Sequence, residues 1–300
     1  MSSARSASVR APAKINVTLR VVGRRSDGYH ELDSIMLPVD LYDEIEVTVD
    51  DRVPQAITIE CDAPSVPTGS DNLAHRAAAV LLSENRINAA IAIGLRKRIP
   101  AASGLGGGSS DAAAVLTTLN RLLSASRTTS ELVRLGARLG ADVPFFVHGR
   151  PARVEGIGEK ISPLAGWGGL PLVVARPSQG LSTAAIYRRY DAVNAGSSAS
   201  LTKRVSATSI ADFAAGRVLL RDLLVNDLEA VAVELCPELV SLKTLLLKVG
   251  AEGALMTGSG SAVFGIWPSR LAAEAAAEMV RGRGYWAVAA QTLDRSPAAA

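Results

Sequence analysis

The chain has 300 residues, 48% of them apolar, 4% aromatic and 20% charged, which excludes disorder by composition and leaves room for one large or two medium cores, two being the expectation at this length. A net charge of +3 suits an anionic small molecule and does not demand nucleic acid, and no apolar run approaches membrane-spanning length. Two distant cysteines, Cys61 and Cys236, match no metal spacing and point to a reduced, cytoplasmic setting.

In chain order, the basic, Ser-rich start from Met1 to Arg10 lacks an apolar signal core and reads as a loose tail. Val9 to Val22 alternates as a half-buried strand, with Ile15, Val17, Leu19 and Val21 toward the core and Lys14 and Asn16 on the opposite face. Spacing alone does not choose between ligand contact and solvation for these two. Asp27-Gly28 is a turn corner before Tyr29-His30, and strands follow over Glu31–Val39, Asp43–Val49 and Ile57–Cys61. A helix opens at Asp71-Asn72-Leu73 and runs through Leu82, capped by Asp71 or Ser70.

The stretch richest in chemistry joins a strand at Ala90–Leu95 to a helix marked by Ala112, Val115, Leu116, Leu119, Leu122 and Leu123. Between them lie Gly104, Gly106, Gly107 and Gly108, with Ser109, Ser110 and Asp111 expected in the cap and first turn. Glycines permit positive φ and close backbone approach, and the free N–H groups of a helix start favour an anion, so a polyphosphate fits. The spacing is neither Walker A nor G-x-G-x-x-G.

Further on, a helix capped by Ser130 is expected to carry Leu132, Leu135 and Leu139. Asp142 stands just before Pro144, which should stop that helix, and His148 reads as a turn residue. Asp142 could point into a cleft or cap a turn. Prolines and glycines between residues 160 and 170 suggest a domain boundary, placed between 1–165 and 166–300. A strand at Leu170–Ala175, a helix capped by Ser182 or Thr183, a variable loop over Ala192–Ser209, and helices over Ala211–Leu220, Leu228–Leu235 and Pro237–Leu247 follow. A second glycine-rich turn covers Thr257–Ser261, then a helix over Leu271–Met279, a strand over Gly284–Ala290 and a disordered Pro297-Ala-Ala-Ala tail.

Pro100-x-x-x-Gly104-Leu105-Gly106-x-x-Ser109-Ser110 resembles the phosphate loop of the GHMP kinases. Pro12-Ala-Lys14-Ile-Asn16, Gly23 to His30, and Gly140-Ala-Asp142-Val-Pro144 look like motifs of one family among them, the 4-diphosphocytidyl-2-C-methyl-D-erythritol kinases of non-mevalonate isoprenoid biosynthesis. The resemblance spans about residues 11 to 290. It implies an α+β, two-domain fold, with a ribosomal protein S5 domain 2-like N-terminal domain and a ferredoxin-like C-terminal domain.

It also implies ATP and Mg²⁺ as cofactors, and transfer of the γ-phosphoryl to the C2 hydroxyl of a small molecule carrying a cytidine diphosphate group. Lys14 and Asp142 would be catalytic. The loop residues Pro100, Ala101, Ala102, Ser103, Gly104, Leu105, Gly106, Gly107, Gly108, Ser109 and Ser110 would hold ATP, Ser110 also the metal, and Asn72 and Lys97 would approach adenine. Asn16 would lie near the acceptor, Tyr29, His30 and Tyr187 around the cytosine, and Thr183 would complete the substrate site. Asp111 as a metal ligand stays open. No nucleic acid or membrane partner is implied, and a monomer or homodimer is equally compatible. A homoserine or mevalonate kinase, an ATP-binding sensor and an RNA-binding protein are the competing readings; Tyr29-His30, the Lys14/Asp142 pair and the scarcity of aromatics argue against them in turn.

Overall fold

The computed structural model describes residues 4–194, 206–215 and 219–299. The chain runs through β1 (Arg5–Arg24), β2 (His30–Asp50), β3 (Ala56–Cys61), α1 (Leu73–Asn85), β4 (Ala90–Arg96), α2 (Gly107–Leu122), α3 (Thr129–Ala137), α4 (Val143–His148), β5 (Ala152–Gly156) and β6 (Lys160–Pro163). It continues through β7 (Pro171–Arg176), α5 (Thr183–Asn194), α6 (Ala207–Ala214), a 3-10 turn (Leu220–Leu223), β8 (Val225–Asn226), α7 (Glu229–Leu235), α8 (Glu238–Lys248), β9 (Gly253–Met256), β10 (Val263–Ile266), α9 (Arg270–Arg281) and β11 (Trp286–Gln291). The expected α+β class is borne out.

The long antiparallel pair β1 and β2 is the spine of the first sheet, whose order is β3-β4-β2-β1-β8, with β5 and β6 extending from the near half of β2. Register shifts at Pro12/Ala13 and Asn16/Thr18 bend the pair. The second sheet, β11-β7-β10-β9, is antiparallel throughout. Residues 11–19 of β1 are buried without alternation, because the strand is covered on both faces rather than on one as expected. Ile15 and Val17 pack with Leu172, Val174 and Phe264 of the second sheet, while Leu19 and Val21 join the core beneath α7, α8 and α9. A separate core lies under α1 to α4, filled by Val115, Leu116, Leu119, Phe145 and Phe146 against Ile45, Val47 and Ile91. Among the described residues no helix is long and apolar enough to cross a membrane.

Several local expectations are corrected. The chain is strand from Arg5, not a loose tail, because the strand extends opposite Val49 and Arg5 donates to Leu122 O at 2.6 Å. The two strands expected over 31–49 are one, β2, because the bulge opposite Val39–Tyr42 absorbs the break. The cap of α1 is Asn72, whose Oδ1 accepts from Ala74 N at 2.8 Å. The cap of α3 is Thr128, in a reciprocal capping box with Glu131 that Ser130 is too late to form.

Pro144 does not stop a helix. It sits in the first turn of α4, where its missing N–H costs nothing, and His148 is that helix's last residue. Residues 192–194 still belong to α5 and 207–209 already to α6, with 195–205 outside the described residues. The helix expected over 211–220 is α6, ending at Ala214, then the 3-10 turn. The C-terminal tail is docked rather than disordered. Ser296 N donates to Gly149 O at 2.7 Å, Thr117 Oγ1 to Ala298 O at 3.0 Å, and Ala298 enters the helix-covered core.

Candidate active site

A cleft of about 540 Å³ opens where the β4–α2 loop, the middle of β1, the start of α4, the start of α5 and the β9–β10 turn converge. The β4–α2 loop forms one wall. Helix α2 is capped by Gly106 in the left-handed conformation, with no side-chain cap, so the N–H groups of its first turn remain for a ligand. Ser109, Ser110 and Asp111 are thus not the cap; they follow it. Gly104, at φ +77°, could not carry a side chain, since a Cβ would fall 2.2 Å from Thr257 O. Pro100 to Gly104 and Gly106 to Ser109 line the cleft. Leu105 is buried in the core between the sheets, and its carbonyl accepts from Lys14 N at 3.0 Å. Ser110 is buried and does not line the cleft, and its Oγ has no partner among the described residues.

Beneath the helix start lies a charged cluster that spacing could not reveal. Lys97 Nζ sits 2.5 Å from both Asp43 Oδ2 and Asp111 Oδ2. Asp43 also accepts from the backbone N–H groups of Arg98 and Ile99, at 2.6 and 2.9 Å. Two buried carboxylates therefore share one ammonium. Burial, with Asp43 adding, pushes Asp111 up to about 7 despite Lys97. Lys97 and Asn72 both line the cleft, but Lys97 is committed to the two carboxylates, and Asn72 caps α1 while its Nδ2 donates to Pro67 O at 2.7 Å.

On the opposite wall, the middle of β1 presents Lys14 and Asn16, both buried. Lys14 Nζ donates to Asn16 Oδ1 at 2.5 Å and lies 3.9 Å from Asp142 Oδ2. Burial pulls the Lys14 ammonium below its ordinary pKa, and Asp142 partly offsets this. Asn16 is held on every side. Its N–H donates to Thr257 Oγ1 at 2.9 Å, its Nδ2 to Ser34 Oγ at 2.8 Å, and Ser34 Oγ in turn to Thr18 O at 2.5 Å. Asp142 precedes α4 with no cap bond of its own, so its carboxylate is not spent on the helix; its side chain is 37% exposed and faces Lys14. The structure thus brings Lys14, Asn16, Asp142 and the glycine loop together around one cleft.

The rim is less uniform. Tyr187 and Thr183 of α5 line the cleft, and Thr183 Oγ1 bonds Ser259 Oγ at 2.8 Å. Burial raises the Tyr187 phenol, and Asp142 adds to it. His30 stacks on Tyr187 with ring centroids 4.8 Å apart and an interplanar angle of 25°. Tyr29 is not drawn in. It is 63% exposed on its turn, and neither it nor His30 lines the cleft; His30 reaches the rim only through its stack on Tyr187.

The β9–β10 turn closes the site from the second sheet. Asn226 Nδ2 donates to Met256 O and Gly258 O, at 2.8 and 2.9 Å, and its Oδ1 accepts from Leu228 N, so this residue holds the turn over Lys14. No local pattern in the sequence points to Asp43, Ser34 or Asp191, whose contacts are all long-range. A neighbouring hollow of about 500 Å³ shares the wall from Lys97 to Ala101 but none of Lys14, Asn16 or Asp142.

Comparison with known proteins agrees with this geometry. The pattern of the GHMP kinases N terminal domain matches residues 72–150, and that of the GHMP kinases C terminal matches residues 207–285. The chain is 44% identical over 284 residues to a 4-diphosphocytidyl-2-C-methyl-D-erythritol kinase of Citrifermentans bemidjiense, covering 94% of this chain and 98% of the relative. It is 42% identical over 285 residues to the enzyme of that name from Symbiobacterium thermophilum, covering 92% and 96%. Among solved structures, a 4-(cytidine 5'-diphospho)-2C-methyl-D-erythritol kinase superposes with a TM-score of 0.78 at 36% identity, covering 95% of this chain and 99% of that one. A homoserine kinase from Cytophaga hutchinsonii, at 18% identity and a TM-score of 0.73 with 99% and 98% covered, shares the fold.

Proposed function

Because the chain belongs to the GHMP kinases, and within them to the 4-diphosphocytidyl-2-C-methyl-D-erythritol kinase family, we propose that it transfers the γ-phosphoryl of ATP to the C2 hydroxyl of 4-diphosphocytidyl-2-C-methyl-D-erythritol in isoprenoid precursor synthesis. The observation that carries this reading is the convergence of a helix start capped by Gly106, with no side-chain cap bond, and a Lys14–Asp142 pair across one cleft.

Phosphoryl transfer needs positioning and charge stabilisation more than covalent help. The triphosphate lies along Pro100 to Ser109, on the N–H groups at the start of α2. The acceptor oxygen attacks the γ-phosphorus, the bond to the β,γ-bridging oxygen breaks, ADP leaves, and the hydroxyl proton passes to the Asp142 carboxylate. Lys14 holds Asp142 and, through its charge, lowers the proton affinity of the hydroxyl. Asn16 fixes the Lys14 ammonium. The residues fit a hard divalent cation, since Ser110 Oγ is a buried hydroxyl without a partner. Mg²⁺, when bound, would neutralise charge on the phosphates. His30 and Tyr187 form the cytosine end, with Thr183 and the exposed Tyr29 at its edge. Asn72, the cap of α1, and Lys97 mark the adenine end. The two sheets support dividing the chain into units 1–165 and 166–300, with Val225-Asn226 crossing back to the first sheet.

Product analysis tests the assignment. Phosphorus and carbon NMR of the reaction with Mg-ATP should show one new phosphomonoester on C2 of the methylerythritol unit. A phosphate on another carbon would refute the placement of the acceptor against Asp142.

A further inference from the structure

Four non-glycine residues among those described have a positive φ: Arg86, Ala102, Ser124 and Ser126. Arg86 is the C-cap of α1, and the two serines lie in the turn between α2 and α3. Ala102, at φ +51°, is the one of the four that lines the cleft. It has neither the freedom of glycine nor the polar side chain with which Asn and Asp ease this conformation. Such a backbone persists where its surroundings hold it. The holding groups come from the segment that ends β7 and leads to α5. Arg176 spreads its guanidinium over three carbonyls: Nε donates to Pro177 O at 2.9 Å, Nη2 to Ser178 O at 2.7 Å and Nη1 to Ala101 O at 3.4 Å. Leu181 N donates to Ala102 O at 3.3 Å. Ser261 Oγ donates to Gln179 O at 2.6 Å, which ties the same segment to the β9–β10 turn. We propose that Arg176 is a positioning residue for ATP: through the Arg176–Leu181 segment it keeps Ala102 left-handed, and with it the phosphate loop in the shape the nucleotide meets. The inference rests on the reading of Pro100 to Ser109 as the ATP wall.

Arg176 does not itself line the cleft, so it acts through the loop. Without its guanidinium the Ala101 carbonyl loses a donor, the 177–178 turn loosens, and Ala102 relaxes toward negative φ. ATP then binds only the fraction of molecules in which the loop is still formed, and its apparent affinity falls by that fraction. Once ATP is bound the loop is formed, and transfer across the Lys14–Asp142 pair proceeds as before. The signature is a higher KM for ATP at unchanged kcat. Glycine at position 102 would adopt the same φ without strain, so it should need the brace less. A general loss of structure on removing Arg176 gives no reason for such a rescue. Gly180 offers a second handle on the same contact, since a Cβ there would lie 3.2 Å from the Ala102 Cβ and press on it.

The test is Mg-ATP titration calorimetry and steady-state kinetics on the full-length protein, with Arg176→Ala and Arg176→Lys, each alone and combined with Ala102→Gly. Arg176→Ala should weaken ATP about tenfold, the factor that releasing one left-handed residue allows, with kcat and KM for the acceptor within about twofold of wild type. Arg176→Lys keeps the charge and loses the fork, so it should lose nearly as much. In the Ala102→Gly background the effect of Arg176→Ala should shrink to under about threefold. Gly180→Ala removes no arginine contact and decides the question if Arg176→Ala does not fold. It should weaken ATP in the otherwise wild-type protein and much less in the Ala102→Gly background. Wild-type affinity in Arg176→Ala or Arg176→Lys, a fall in kcat in place of the rise in KM, or effects of Arg176→Ala and Gly180→Ala undiminished by Ala102→Gly would overturn the proposal alone. Failure of the wild-type protein to bind ATP would overturn the ATP reading of the loop and this proposal with it.

Discussion

The phosphate half of the cleft comes from one stretch, Lys97 to Asp111, whereas the acceptor half draws on β1, the turn before β2, the start of α4 and the start of α5. The glycine loop of the first is held by backbone, above the Lys97–Asp43–Asp111 cluster. Ser103 O accepts from Ala262 N, Leu105 O from Lys14 N, and Gly104 lies flat against the Thr257 carbonyl. The second is held by side chains, through Lys14–Asn16, His30–Asp191 and Thr183–Ser259. Backbone packing couples function to folding, while side-chain contacts at a rim can change without unfolding anything. Substitutions in the two halves should therefore fail in different ways.

The largest effect separates chemistry from binding. Asp142→Asn keeps shape and removes the proton acceptor. Its kcat should fall about a thousandfold while the dissociation constant for ATP stays within about twofold. Near-normal turnover would remove Asp142 from the mechanism. Gly104→Ala should do the reverse of a clean separation. With φ at +77° and a Cβ 2.2 Å from Thr257 O, it should cost about 3 kcal/mol of stability and weaken ATP binding together, as urea melts and nucleotide titration would read. An unchanged melt would show that the two glycine loops do not bear on each other.

The charged cluster under the loop gives a pH signature. Asp111 is raised from 3.8 to about 7 in the folded protein. Between these values the folded state keeps a proton that the unfolded state releases, so stability falls as pH rises, until about pH 7, above which the full cost of the buried carboxylate is present. Asp111→Asn should thus raise Tm more at pH 8 than at pH 5. A gain of the same size at both pH values would contradict the assignment of that cost to Asp111. The smallest effect lies outside both halves. Thr128→Ala removes the capping box of α3 and should lower stability by about 1 kcal/mol with kinetic constants unchanged.

The same division governs what the sequence could disclose. The phosphate loop was legible because its glycines, hydroxyls and flanking strand and helix are contiguous, and the alternation of β1 placed Lys14 and Asn16 on one face. The partners that hold those residues were not legible. Thr257 meets Asn16 across 241 positions, Asp191 meets His30 across 161, and Asp43 meets Lys97 across 54. No local pattern encodes such pairings. Cap positions slipped by one to three residues for a different reason. Thr128, Thr129 and Ser130 are chemically equivalent cap candidates, and only the reach of Glu131 back to Thr128 selects among them. The tail looked disordered because alanines advertise no partner, while the groups that dock it, Gly149 and Thr117, lie far upstream.

A coupled ADP-release assay with Mg-ATP and a panel of acceptors tests most directly whether the two halves together make a kinase for the cytidine-linked acceptor. The panel holds 4-diphosphocytidyl-2-C-methyl-D-erythritol, mevalonate, homoserine and galactose. Turnover with the first alone is the predicted result. Turnover with one of the others would keep the phosphate half and contradict the acceptor half.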